Sequence, residues 1–447
     1  MPSGVYNSRM TMEGLLRYIG SRFFKNVITL QVGSVLGTLL QAVAGIFIAR
    51  LLQPELFGVY ALAFSLASLA GIFMATGVGD GITSIVAGAY ARRDRDTIAE
   101  ALGFLLKIAS IIGIVVAIGL VLLPIISNLL YHRYDIGLFA AIVVLASIIS
   151  NLLFSVSQVA FQAERKIATA TIFIFIDLFV RWGLSLLLVF SGYKILGAAI
   201  GHLIGSLIVF IIIGLSWNRL LSVDSFIPSL GQIFRKAISV SWRKFIRYSF
   251  WVALDRNMAT LFSFLPISLA GIYFVSSDVA FYKIPFGFAN LALSLLGPIS
   301  TMLNIEFPRL REESLEKMRS SFLRVTFYSV IFSAFLVICA AVISPIAFKI
   351  LYGESFMPSV PYAYGFIIYG IFNGLGVGLG PMWRAINKVK VLILINTIVL
   401  AIGIPAGLYS LKHYGIWGGV WMVTTWFAVS HVASFIYLYK KLKSGKI

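Results

Sequence analysis

Most of the chain is written as apolar runs of about 20 residues separated by short polar turns, each run long enough, as a helix, to cross a hydrocarbon core of about 30 Å. The pattern predicts spans near residues 27–49, 57–77, 101–123, 136–160, 167–190 and 195–215. After a basic stretch come spans near 245–267, 279–303, 322–343, 361–381, 391–411 and 417–439. Ahead of the first run, Leu15, Leu16, Ile19, Phe23 and Phe24 fall at helical spacing with Arg17, Arg22 and Lys25 between them. Residues 1–26 are therefore expected to form a helix lying in the membrane interface.

The polar turns decide the count and the orientation. With the N-terminus inside, the inner segments hold 27 lysines and arginines, and the outer loops hold only Arg50, Arg133, Lys194, Lys349 and Lys412. One helix too many or too few would invert every later loop and destroy that bias. Twelve helices with both termini in the cytoplasm satisfy the positive-inside rule. The chain is also internally repeated. Tyr60 matches Tyr282, and Ala163-Glu164-Arg165-Lys166 matches Ala385-Ile386-Asn387-Lys388, both displaced by 222 residues (282 − 60; 385 − 163). Ile195-Leu196-Gly197-Ala198 matches Ile416-Trp417-Gly418-Gly419 at a displacement of 221 (416 − 195). Six helices per unit is an even number, so the two units enter the membrane in the same sense, as parallel repeats. The expected organisation is an N-lobe at 27–215, a cytoplasmic linker at 216–244, a C-lobe at 245–440 and a basic tail at 441–447.

Composition agrees. Of 447 residues, 60% are hydrophobic and 12% charged, about half the charge of a soluble domain. The mean hydropathy is +0.96. A net charge of +19 would suit nucleic acid in a soluble protein. In a membrane protein it is explained by basic loops beside anionic lipid, so membrane lipids and not nucleic acid are the expected partners. The single cysteine, Cys339, rules out an internal disulfide framework, and four scattered histidines give no metal site. The first 25 residues lack a compact apolar core with a small-residue cleavage site, so no cleaved signal peptide is expected.

Ionisable residues inside spans are costly and face a cavity or a partner. Asp177 and Arg181 stand at i, i+4 on one face of the fifth span, Asp177 about 15 Å in and so near the midplane. They suit either a structural ion pair or a substrate site. Asp255 and Arg256, adjacent in the seventh span, point about 100° apart, so each must find a partner elsewhere. Lys283 opens the eighth span and Lys107 lies near the inner end of the third; both are long enough to snorkel. His202 and His431 are expected to hydrogen-bond between helices, and Asp80 to cap a short helix after the second span. No phosphate-binding loop of the form GxxxxGK[ST] occurs, and the outer loops at 128–135 and 351–358 carry one acid each, Asp135 and Glu354. ATP hydrolysis and metal-dependent glycosyl transfer are thus disfavoured, and no cofactor is expected.

Several short stretches resemble one family. Arg50-Leu51-Leu52-Gln53-Pro54-Glu55-Leu56-Phe57-Gly58-Val59-Tyr60 is similar to the "R-L-L-G-P-E-x-F-G-x-Y" turn of the polysaccharide transporters. These are the O-antigen-type flippases of the multidrug/oligosaccharidyl-lipid/polysaccharide (MOP) superfamily. Leu254-Asp255-Arg256 followed by Asp278-Val279-Ala280-Phe281-Tyr282 resembles that family's "L-D-R … D-V-G-x-Y", and Phe307-Pro308-Arg309-Leu310 its "F-P-R-L". Gln53 and Ala280 stand where the pattern has glycine.

The resemblance implies an all-α polytopic membrane protein, a MATE-like V-shaped bundle of two six-helix lobes rocking around a central cavity. It implies a transporter, not an enzyme, moving a polyprenyl-(pyro)phosphate-linked oligosaccharide to the outer leaflet of the cytoplasmic membrane, beside other polysaccharide-assembly membrane proteins. On that reading Arg181, Arg256 and Lys283 attract the anionic head group, and Asp177 and Asp255 are the candidates for coupling to an ion gradient. A drug/cation antiporter of the same superfamily is the first rival and would want an acid-rich cavity. A membrane glycan polymerase or transferase is the second and would want a large outer loop.

Overall fold

The computed structural model describes residues 22–74, 78–220, 226–241 and 243–445, and every regular element among them is helical. In chain order these are α1 (Arg22–Ala70), α2 (Val78–Ala91), α3 (Arg95–Gly119), α4 (Leu122–Tyr131), α5 (Tyr134–Ala163), α6 (Ile167–Leu188) and α7 (Lys194–Leu220). Then follow α8 (Leu230–Ser239), α9 (Arg243–Ala270), α10 (Ser276–Leu293), α11 (Gly297–Glu313), α12 (Leu315–Leu351), α13 (Val360–Ala385) and α14 (Val389–Ser444). Residues 1–21 of the expected interfacial helix lie outside the described residues, and from Arg22 the chain is already in α1.

Eight stretches are apolar and long enough to cross a membrane. Three of them double back: Val35–Met74 at Gln53, Ile167–Trp217 at Gly192–Lys194, and Val389–Ser444 at Gly415. With α9, which carries five charges in its 28 residues, they make the twelve expected crossings. Several crossings are longer than their apolar cores. The third runs through α3 into α4, ending at Tyr131, and the eighth continues through α11 to Glu313.

α12 shows what kind of solvent surrounds the bundle. It exposes Phe327, Ile331, Phe335, Ile338, Val342 and Ile346 on one face and buries Thr326, Ser329, Ser333, Ala341 and Ser344 on the other. A water-soluble helix does the reverse. In lipid, apolar contact drives no association, so small residues are placed where backbones must approach. Gly374 on α13 is such a place: a Cβ there would come within 2.1 Å of Ser333 Oγ and 2.8 Å of Ser329 O.

The repeat seen in the sequence recurs as backbone geometry. Arg165 and Asn387 both take a left-handed conformation, with φ of 61° and 57°. In each turn the next amide reaches back to a carbonyl five residues earlier: Lys166 to Phe161 at 2.9 Å, Lys388 to Trp383 at 3.1 Å. Lys194 (φ 49°, ψ −135°) and Gly415 (φ 55°, ψ −138°) are displaced by 221 (415 − 194) and share one unusual conformation. Asp94 and Ser314 each cap a long helix, accepting from the backbone N–H of Thr97 and Lys317 respectively.

The N-terminal half (α1–α7) and the C-terminal half (α9–α14) meet where α1 packs on α9 and α10. Gly58 makes the closest approach, since a Cβ there would lie 1.6 Å from Ser276 O. Nearby, Ser65 Oγ donates to Phe264 O at 2.6 Å, Ser355 Oγ donates to Gln53 Oε1 at 2.8 Å, and Arg50 donates to Ile350 O at 3.1 Å. The halves are thus fastened at the Gln53 end. Within the linker, α8 lies against α3, burying Ile233 and Ala237. The ammonium of Lys107 donates to Ile238 O and Val240 O at 3.1 and 2.8 Å, satisfying carbonyls at the end of α8.

Candidate functional site

A cavity of about 370 Å³ opens in the half of the bundle farther from Gln53, on the side of the Arg93 and Arg165 turns. Its walls come from the 3₁₀ turn after α1, from α2, α3, α5 and α6, and from α9 of the other half, which contributes Arg256. A break in the second crossing helps to make it. After Ala70 the helix tightens to a 3₁₀ turn over Gly71–Met74, and α2 is described from Val78. Met74, Val78 and Gly79 line the cavity. Asn257, next to Arg256, donates to Ile72 O at 3.1 Å and ties α9 to this break.

One wall is polar in a regular way. Asn151, Ser155, Gln158 and Gln162 stand at i, i+4, i+7 and i+11 of α5, a single helical face, and all four line the cavity. Ser155 donates to Asn151 Oδ1 at 3.2 Å, and Gln158 Nε2 donates to Ala170 O at 3.2 Å. Gln158 is buried, yet its Oε1 has no hydrogen-bond partner among the described residues. Among the described residues the lining holds one charge, Arg256, and no acid. Sequence reasoning that weighed only ionisable residues passed over this row, although its 4-3-4 spacing inside a span was legible.

The other sequence candidates lie elsewhere. Arg181 pairs with Asp177 inside the N-terminal half, and Asp177, buried, also accepts a 3.4 Å hydrogen bond from Ser150 of α5. The Ser150 contact links the pair to α5, and neither residue is among those lining this cavity. Asp255 reaches Arg384 of α13 at 3.6 Å, and Arg384 in turn donates to Asn304 at 2.9 Å, so Asp255 and Arg256 do part company. Lys283 is half-buried with its ammonium 5.9 Å from the Phe264 ring. His431 joins two helices, its Nδ1 2.9 Å from Phe372 O, whereas His202 packs between Phe64 and Trp182 with no partner for Nε2 among the described residues. Asp80 falls inside α2, not at its start, and its side chain lies outside the described ones.

A family model described as polysaccharide biosynthesis protein matches residues 23–310, well over half of the chain. The chain belongs to the polysaccharide biosynthesis protein family. As a family member it also carries the MOP-superfamily fold. It is similar to the inward-facing structure of a multidrug resistance MATE family transporter, with a TM-score of 0.75 and 16% identity over 92% of this chain and 96% of that one. A eukaryotic MATE transporter matches with a TM-score of 0.65 and 16% identity, covering 95% of this chain and 99% of that one. A MOP superfamily transporter from Pyrococcus furiosus Vc1, described as having a binding pocket of reverse polarity, matches at 0.65 and 16% identity over 94% and 96%. No curated protein matches the sequence. The family and the fold are those of transporters, in a multi-pass membrane protein.

Proposed function

We propose that this family member is a flippase that carries a polyprenyl-(pyro)phosphate-linked oligosaccharide between leaflets for surface polysaccharide synthesis. The observation that carries this reading is the character of the cavity. It lies where the halves meet, is faced with amides and hydroxyls, and holds a single arginine with no acid among the described residues. An organic cation would find no counter-charge there, which disfavours the drug-antiporter reading. An anionic head group would find Arg256, whose guanidinium can grip phosphate through two parallel hydrogen bonds.

The basic turns bearing Arg93 and Arg165 face the cytoplasm on this proposal, so the cavity receives substrate from inside while the Gln53 end is shut. The lipid tail stays in the bilayer. The α1, α9 and α10 contacts then part and reform at the opposite end as the two halves rock. Arg181 with Asp177, and Asp255 with Arg384, hold each half rigid during that motion. Lys283, at the junction of the halves, stands beside the route of the anion.

Vesicles containing the purified protein and a tritiated polyprenyl-pyrophosphate oligosaccharide test this directly. Lipid initially confined to one leaflet should equilibrate with protein present and stay put without it. Accumulation of an organic cation driven by a proton or sodium gradient, with no movement of the lipid, would overturn the proposal in favour of an antiporter.

A further inference from the structure

We infer that the α5 row Asn151, Ser155, Gln158 and Gln162 is the sugar-reading wall of the cavity, and that the sugars it receives are uncharged. The inference rests on the flippase reading and adds to it which residues touch the glycan and which glycans fit. Four uncharged hydrogen-bonding side chains in line along one helix face cover about 16 Å at 1.5 Å per residue, enough for more than one sugar ring. Each amide offers both donors and an acceptor, and the serine offers both in one group, matching the mixed donor and acceptor character of sugar hydroxyls and N-acetyl groups. A carboxylated sugar would need a cation of its own. Arg256 is the only charge described in the lining, and on the flippase reading it is engaged by phosphate.

Gln158 is the member of the row tied to the next helix of its own half. Its side chain is held by the donation of Nε2 to Ala170 O, which leaves Oε1 buried and without a partner among the described residues. Buried acceptors are nearly always satisfied, because an unpaired one is costly. Gln158 is among the residues lining the cavity, with Oε1 itself covered in this structure. The cavity volume of about 370 Å³ sits at the small end of ligand sites and suits a short glycan segment, not a whole polymer.

The test compares three probes bound to the full-length protein in nanodiscs: polyprenyl pyrophosphate alone, the same lipid carrying N-acetylglucosamine, and the same lipid carrying a uronic acid. The wild type should bind the N-acetylglucosamine lipid about tenfold more tightly than the bare lipid, and the uronic acid lipid no more tightly than the bare one. Gln162→Leu and Asn151→Leu, which leave the Gln158–Ala170 bond intact, should each reduce the sugar increment by about threefold or more and leave binding of the bare lipid unchanged. Arg256→Gln should weaken all three probes alike. Equal affinity of the wild type for all three probes, or a preference for the uronic acid lipid, would overturn the sugar wall while leaving the flippase reading intact. Failure of the wild type to bind any probe would remove the flippase reading and this inference together.

Discussion

The fourth crossing of each half, α5 and α13, begins from the same plan and ends in different employment. At the repeat displacement of 222, Asn151 corresponds to Asn373, Ser155 to Val377, Gln158 to Gly380 and Gln162 to Arg384. On α5 all four positions line the cavity. On α13 the same face is closed: Asn373 donates to Tyr369 Oη, which donates to Asn290, and Arg384 is engaged by Asp255 and Asn304. Duplication supplied two equivalent helices. The α5 face lines a cavity, whereas the corresponding α13 face is held by side chains of its own half. Charge follows the same division, since the ion pair that closes the C-terminal half uses Asp255, whose neighbour Arg256 is thereby turned toward the N-terminal cavity.

The sharpest way to break this comparison is to unpair the two braces. Arg181→Ala would strand Asp177, which is only 3% exposed, inside a span. Removing one partner of a buried pair costs about 3 kcal/mol or more, so little folded protein should be recovered, as measured by detergent-solubilised size-exclusion profiles. The double variant Asp177→Asn with Arg181→Ala should restore most of it. Arg384→Ala should cost less, because its own side chain is 50% exposed and that of Asp255 is 25% exposed, and water can compensate. Equal losses at the two positions would show that burial does not set the difference.

Much of this was readable before any coordinates. The twelve crossings, the repeat and its three matched segments follow from run lengths and loop charge, because lipid forces every spanning backbone to satisfy itself as helix. The turns at Arg165 and Asn387 appear in sequence as matched polar tetrads and in space as the same left-handed turn. The site was less legible. Asp177 and Arg181 stand out from depth alone, and their contact with Ser150 of the neighbouring helix is visible only in three dimensions. The α5 row was overlooked since amides inside a span are less costly than charges and attract less notice. The role of Lys107, holding carbonyls of a linker more than 130 residues away, depends on tertiary structure that no local pattern encodes.

A graft sharpens the comparison further. Gln162→Arg places at the cavity wall the residue that its repeat partner carries, but Gly33 occupies the position corresponding to Asp255, so the new charge has no equivalent acid. The protein should fold, and lipid translocation in vesicles should fall severalfold as a second cation disturbs the sugar wall. The smallest effect belongs to the turn beyond that residue. Burial raises the carboxyl of Glu164 above the usual carboxylate range, against the opposing pull of Lys166 at 3.1 Å. A carboxyl raised in the folded state loses stability as pH climbs through its ordinary value. Glu164→Gln should therefore raise the thermal midpoint slightly at neutral pH, and the gain should vanish in acid below that range.

The central claim is that the α5 face, and not its α13 counterpart, meets the substrate. With Cys339 replaced by alanine, single cysteines at Asn151 and at Asn373 can be titrated with a water-soluble maleimide in inside-out vesicles. The account predicts that Asn151→Cys reacts readily and is protected by a polyprenyl-pyrophosphate glycan, while Asn373→Cys stays unreactive with or without it. Ready reaction at Asn373→Cys, protected by the glycan, with Asn151→Cys inert, would contradict it.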